Sequence, residues 1–207
     1  MKQFVRRLIP RPLTILRSRF LDIISWKKRR YAPPSPAHVK RAVLLRNGIP
    51  GATWIETGTY LGETTHFLSG HSKHVYSIEP EPALFKNAVK RFKDKSNVSV
   101  LNGLSENIFP KLMSDLSGEV NFWLDGHFSL GITHKGPRDT PISDELESIQ
   151  KHLAKFTKLA VLIDDIHCFN PTRKEYADYP PLDYLVDWAR RNGLAWHIEH
   201  DIFIARK

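Results

Sequence analysis

Cysteine is nearly missing from this chain of 207 residues: Cys168 stands alone. One thiol excludes an internal disulfide and suits a reducing compartment, so a cytoplasmic location is expected. Acidic side chains are scarce at the start. Residues 1–31 hold only Asp22, against ten lysines and arginines. The opening stretch lacks an unbroken apolar core with a small-residue cleavage site, so no signal peptide is expected. Its apolar runs, broken by Arg and Asp, are too short to span a membrane. No internal repeat is visible, and no low-complexity tract beyond the prolines near residue 34.

The net charge of +9 resides in that opening stretch. The remaining 176 residues carry 21 basic and 21 acidic side chains and sum to zero. The chain therefore divides into a basic arm (1–31), a stiff proline-rich joint (32–38) and a neutral body (39–207). Pro10 and Pro12 break a helix near its start. Beyond them Leu13, Leu16, Phe20, Ile23 and Ile24 recur at helical spacing, blurred by Ile15, Leu21 and Trp26. Such an arm packs on the body or on a second subunit, or lies in a membrane surface with its arginines and lysines on anionic lipid. A grip on nucleic acid is a third reading, weakened by the few aromatics beside the charge.

The body alternates strand and helix. ATWIET, HVYSIEP, NVSVLNG, EVNFWLDGH and LAVLIDD are apolar strand candidates. Between and after them lie helical stretches, among them ALFKNAVKRFKDK with Leu84, Phe85, Ala88, Val89 and Phe92 on one face. Pro110 is expected to interrupt the helix after the third strand, and Ser143 to cap the one before the fifth. Two short strands end the body with a turn at residues 199–201. The pattern predicts an α/β fold: a doubly wound, mostly parallel seven-stranded Rossmann-like sheet with one antiparallel strand near the C-terminus. Ligands of such sheets bind beyond the carboxyl ends of the strands.

Acids stand at those ends: Glu56, Glu79, Asp125, Asp164 and Asp165. Glu56 opens a loop with Gly58 and Gly62, whose glycines permit a sharp turn and backbone contact with a ligand. An acid there suits a cationic ligand group, and Glu79, one strand on, suits the hydroxyls of a ribose. Asp125, Asp164 and Asp165 are oxygen donors of the kind that hold magnesium. His127 and His167, two residues past strand ends, are either ligands, proton acceptors or bystanders. The long loop 127–146 carries His134, Lys135 and Arg138, which either recognise an anionic acceptor or form a solvated turn with Asp139 and Asp144.

Five stretches carry a resemblance in the correct order: IETGTYLGETT, VYSIEPEP, VLNGLSENIFPKL, FWLDGH and LIDDIH. From Thr53 to Lys207 the chain resembles the class I S-adenosylmethionine-dependent methyltransferases. Within them it is most similar to the small metal-dependent O-methyltransferases of the catechol and macrolide-sugar type. The resemblance implies that Glu56, Gly58, Thr59, Tyr60, Gly62 and Thr64 surround the methionine part of the cofactor. It implies that Glu79 holds the ribose, Gly103 and Ser105 the adenine side, and Asp125, Asp164 and Asp165 magnesium, with Asp125 bordering the cofactor as well. Phe128 stands where that family has its lysine base, so His127 is the expected substitute, with His134 and Lys135 behind it. The implied reaction is methyl transfer to a small hydroxylated acceptor, such as a sugar or an anionic metabolite. Two alternatives are a scaffold that keeps the fold without turnover, and a nucleic-acid methyltransferase that grips through the arm.

Overall fold

The computed structural model describes residues 11–126 and 140–207. The first helix, α1 (Arg11–Lys28), starts beside Pro12, which the first turn tolerates because its missing N–H has no partner there in any case. The predicted joint contains the start of a second helix, α2 (Ala37–Asn47), with Pro36 at its N-cap. The sequence reading had no element here. The helix forms because Val43, Leu44 and Asn47 share a buried stripe.

From there strand and helix alternate as expected: β1 (Thr53–Thr57), α3 (Glu63–Ser69), β2 (Val75–Glu79), α4 (Pro82–Phe92), β3 (Val98–Asn102), α5 (Ser105–Asp115), β4 (Gly118–Leu124), α6 (Ile142–His152), β5 (Phe156–Ile163), α7 (Leu182–Arg191), β6 (Ala195–Glu199) and β7 (Ile202–Arg206). The strands form one sheet in the order β3-β2-β1-β4-β5-β7-β6. β7 runs antiparallel to both β5 and β6, and every other pairing is parallel. That is the expected single reversed strand. The turn into it has positive φ at His200 and Asp201 (47° and 69°), the geometry of a tight two-residue hairpin.

Alternate strand residues feed two cores on opposite faces. Ile55, Phe122, Val161 and Phe203 pack with Phe109 and Met113 of α5, Leu146 of α6, and Leu185 and Trp188 of α7. Trp54, Trp123, Leu162 and Ile204 pack with Val43 and Leu44 of α2 and Leu68 of α3. Both faces are covered, which is why the strands read as continuous apolar runs.

Three local expectations are corrected. Pro110 lies inside α5 without ending it; the proline is exposed, and burial of Phe109, Leu112 and Met113 offsets the lost hydrogen bond. Ser143 lies within α6, which Pro141 precedes; the Asp144 and Glu145 N–H groups turn back to the Pro141 carbonyl. Val89 is exposed because the buried stripe of α4 runs through Leu84, Ala88 and Phe92 and leaves it one position outside. Among the described residues no helix is long and apolar enough to cross a membrane.

Candidate active site

Strand register alone assembles the site. Thr57 of β1 pairs with Ile78 of β2 and Leu124 of β4, Leu124 pairs with Ile163 of β5, and Glu79 pairs with Asn102. One residue further along the three middle strands stand Gly58, Asp125 and Asp164. Asn102, Glu79, Gly58, Asp125 and Asp164 therefore form a row across the carboxyl edge. The row straddles β1 and β4, where the winding direction of the sheet reverses, the place at which open α/β sheets take their ligands.

The loop after β1 is fixed from below. Gly58 has a φ of 84°, and a Cβ there would lie 2.7 Å from the Asp125 carbonyl oxygen. Only glycine lets this loop rest on the end of β4. Gly62, with a φ of 74°, precedes α3. Glu79 is buried, and its two oxygens accept from the Tyr60 N–H (2.7 Å) and the Glu81 N–H (2.9 Å). It thereby joins the glycine loop to the turn after β2. The Tyr60 and Leu61 side chains stand exposed at the mouth.

Glu56 lies beneath this loop rather than on it, with 1 % of its surface exposed. Thr65 and Ser77 donate to its Oε2 at 2.5 and 2.6 Å, and Thr59 shares a 2.6 Å hydrogen bond with Ser77. Burial pushes Glu56 up to about 7, although both hydroxyls pull it down. On the far side of the row, Gly103 (φ 143°) and the buried Ser105 lead into α5. Thr64 is half-buried in the first turn of α3.

The aspartates are brought together as expected. Oxygens of Asp125, Asp164 and Asp165 lie within 4.8 Å of one another. Asp165 adopts a left-handed conformation (φ 55°), which turns its side chain back beside Asp164. What the sequence reading missed is the cation already there. The Lys40 ammonium of α2 donates to Asp164 Oδ2 at 2.5 Å and to Asp165 Oδ1 at 3.2 Å. Burial alone would lower the Lys40 ammonium, but the charges of Asp164, Asp165 and Asp125 overcome it and hold the group protonated. Burial raises Asp125 well above the usual carboxylate range and Asp164 to about 6, with Lys40 opposing both.

Lys40 is held in place by its helix. The buried Asn121 of β4 accepts from the Ile49 N–H (2.8 Å) and donates to the Ile49 carbonyl (3.0 Å), locking the end of α2 to the sheet. Arg46 and Asn47 bond to Glu199 at the end of β6. The donor set suits a hard divalent ion, but the space before Asp164 and Asp165 belongs to an ammonium. With Lys40 in position the residues do not fit magnesium.

A second residue was missed. Glu145 of α6 is 1 % exposed, and the nearby hydroxyls of Ser105 and Thr57 favour its charged form against burial. Its Oε1 has no partner among the described residues. Burial pushes it up to about 7. Thr57 also accepts from the Asp125 N–H at 3.2 Å, so Glu145 supports the same strand end. His167 is a fastener: its ring nitrogen bonds to Asp201 at 2.5 Å, and its N–H donates to the other Asp201 oxygen at 2.9 Å. The catalytic candidates His127 and Lys135, with Phe128, His134, Arg138 and Asp139, lie outside the described residues.

Solved structures share the fold. The N-methyltransferase NodS from Bradyrhizobium japonicum WM9 is similar at 15 % identity, covering 82 % of this chain and 93 % of its own, with a TM-score of 0.51. The fold is theirs in common. The 23S rRNA methyltransferase ErmE is similar at 15 % identity, covering 83 % and 67 %, with a TM-score of 0.50. A precorrin 8W decarboxylase from Methanobacterium thermoautotrophicum is similar at 12 % identity, covering 86 % and 92 %, with a TM-score of 0.51. The last is named for a different reaction, so the fold alone does not fix the chemistry. A scan against family models matches none, and a search of curated sequences finds no match.

Proposed function

We propose that this protein is an S-adenosylmethionine-dependent O-methyltransferase acting on a small hydroxylated acceptor. The observation that carries the reading is the row Asn102, Glu79, Gly58, Asp125 and Asp164 at the point where the winding reverses. A nucleoside fits along this row. Glu79 accepts from the ribose hydroxyls, since a carboxylate oxygen takes more than one hydrogen bond. Gly103 and Ser105 border the adenine. Gly58, Thr59, Tyr60, Gly62 and Thr64 surround the amino-acid part, with Glu56 supporting them from below.

The bound cofactor supplies a methyl group on a sulfonium, which passes to an oxygen lone pair while the C–S electrons return to sulfur. The chain's task is to set the acceptor oxygen in line with that bond, where positioning supplies much of the rate. Asp125, Asp164 and Asp165 present carboxylates to the acceptor, and the Lys40 ammonium polarises its hydroxyl. His127 or Lys135 takes the hydroxyl proton in this reading. Magnesium assistance, expected from the sequence, would need Lys40 to withdraw from Asp164 and Asp165.

Calorimetry with S-adenosylhomocysteine tests the cofactor assignment. Micromolar binding is expected, weakened about 10- to 100-fold by Glu79→Gln, which loses charge-assisted hydrogen bonds. A folded protein that gives no heat with either S-adenosylhomocysteine or S-adenosylmethionine would end this reading. Tritiated methyl transfer to a panel of sugars and hydroxy acids then identifies the acceptor.

A further inference from the structure

We infer that Lys40 is the resident cation of the carboxylate cluster, taking the place a divalent ion would hold. The inference deepens the proposed reading of the site, but its readout is metal binding, so it stands or falls apart from methyl transfer. Three carboxylates this close repel one another unless a positive charge lies among them. Lys40 meets that need from within the chain, bonded to two of the three. Both oxygens of Asp164 are then engaged: Oδ2 by Lys40, and Oδ1 by the Asp165 N–H at 2.9 Å. Two of the three ammonium protons are used, and the third has no partner among the described residues. A ligand oxygen there would meet a fixed positive charge, which favours its deprotonated form and fixes its direction.

Lys40 cannot drift out freely. It sits in the first turns of α2, whose far end is pinned by Asn121 and whose buried stripe packs on Trp54. The bound ammonium and a bound ion compete for the same oxygens. Manganese, followed by its electron paramagnetic resonance signal and by calorimetry, probes the competition directly. The unaltered full chain is expected to leave millimolar manganese free, with a melting temperature indifferent to magnesium and to EDTA. K40M is expected to bind one manganese at least about tenfold more tightly, since it removes a unit charge a few ångströms from the ion. Manganese held stoichiometrically by the unaltered protein, or ignored by a folded K40M, overturns the inference. Should K40M not fold, the measurement on the unaltered protein decides alone.

A separate observation concerns α1. We propose that it docks on an anionic lipid surface. From Leu16 to Ile23 the described side chains of this helix are all exposed, with Leu16 67 % and Phe20 66 % accessible. Leu16, Phe20 and Ile23 fall at i, i+4 and i+7 and form one apolar stripe. Among the described residues the buried side chain of this helix is Trp26, which lies off that stripe, edge-on to Tyr31 and His200 at 5.1 and 5.3 Å. The stripe is therefore left over from packing. Charge selects its occupant. A second copy would bring together two arms each carrying the whole +9 excess, whereas an anionic bilayer complements it. Docking there brings the hairpin at His200, and with it the carboxyl edge of the sheet, toward the membrane.

Co-sedimentation with vesicles tests this. Binding is expected to phosphatidylcholine vesicles containing phosphatidylserine, and not to phosphatidylcholine alone. Phe20→Glu is expected to weaken it more than about tenfold, and the folded body to be unaffected because Phe20 is exposed. Unchanged sedimentation of F20E, a solution dimer that F20E dissociates without any vesicle binding, or duplex RNA bound in preference to the vesicles would each overturn the proposal.

Discussion

Gly58→Ala is expected to weaken cofactor binding about 100-fold and to destabilise the protein by about 2–4 kcal/mol. The added Cβ meets the Asp125 carbonyl oxygen at 2.7 Å, a backbone atom that cannot retreat without moving the end of β4. Gly118 supplies the control. Its φ is 85°, nearly that of Gly58, but a Cβ there meets nothing within 4 Å. Gly118→Ala therefore carries the conformational penalty without the collision. It is expected to cost about 1 kcal/mol and leave binding unchanged. Calorimetric titration and thermal melts of the two variants separate the effects; equal losses would mean that the loop does not rest on β4.

The pH dependence of stability should be unusual in sign. Glu56 and Glu145 are both held near 7 by burial. From pH 4.5 up to 7 the folded chain keeps protons that the unfolded chain has lost. Their contribution is complete below the ordinary carboxylate range and disappears as pH rises through 7. Each group lowers stability by up to about 3 kcal/mol at pH 8 relative to pH 4. Glu145→Gln removes the charging cost while keeping an acceptor for Ser105 or Thr57. It is expected to match the parent at pH 4 and to melt several degrees higher at pH 8. A parent whose melting temperature climbs from pH 5 to pH 8 in step with E145Q would contradict the burial argument.

The sheet and the acidic edge were legible because both depend on local patterns. Apolar runs of five to eight residues give strands buried on two faces, and the acids that follow four of the five parallel runs fall on one edge. The single reversed strand was legible from two strands with no helix between them. Residues whose meaning is fixed from a distance were less so. Lys40 and Glu145 read as ordinary surface charges in isolation. Yet each stands at helical spacing from buried apolar residues: Lys40 three and four positions before Val43 and Leu44, and Glu145 three after Ile142 and four before Ile149. A charge three or four positions from buried apolar residues on its own helix faces inward and needs an internal partner. That pattern was available in the sequence, whereas the identity of the partner, 124 residues away for Lys40 and Asp164, was not.

The reversed strand has a consequence for synthesis on the ribosome. β6 borders only β7, and β7 lies between β6 and β5. Until β7 emerges, the nascent chain has an unprotected edge at β5, its most apolar strand, and β6 has nowhere to attach. The hairpin that fastens His167 through Asp201 also closes last. A chain stalled before β7 would therefore present an open strand edge inviting aggregation.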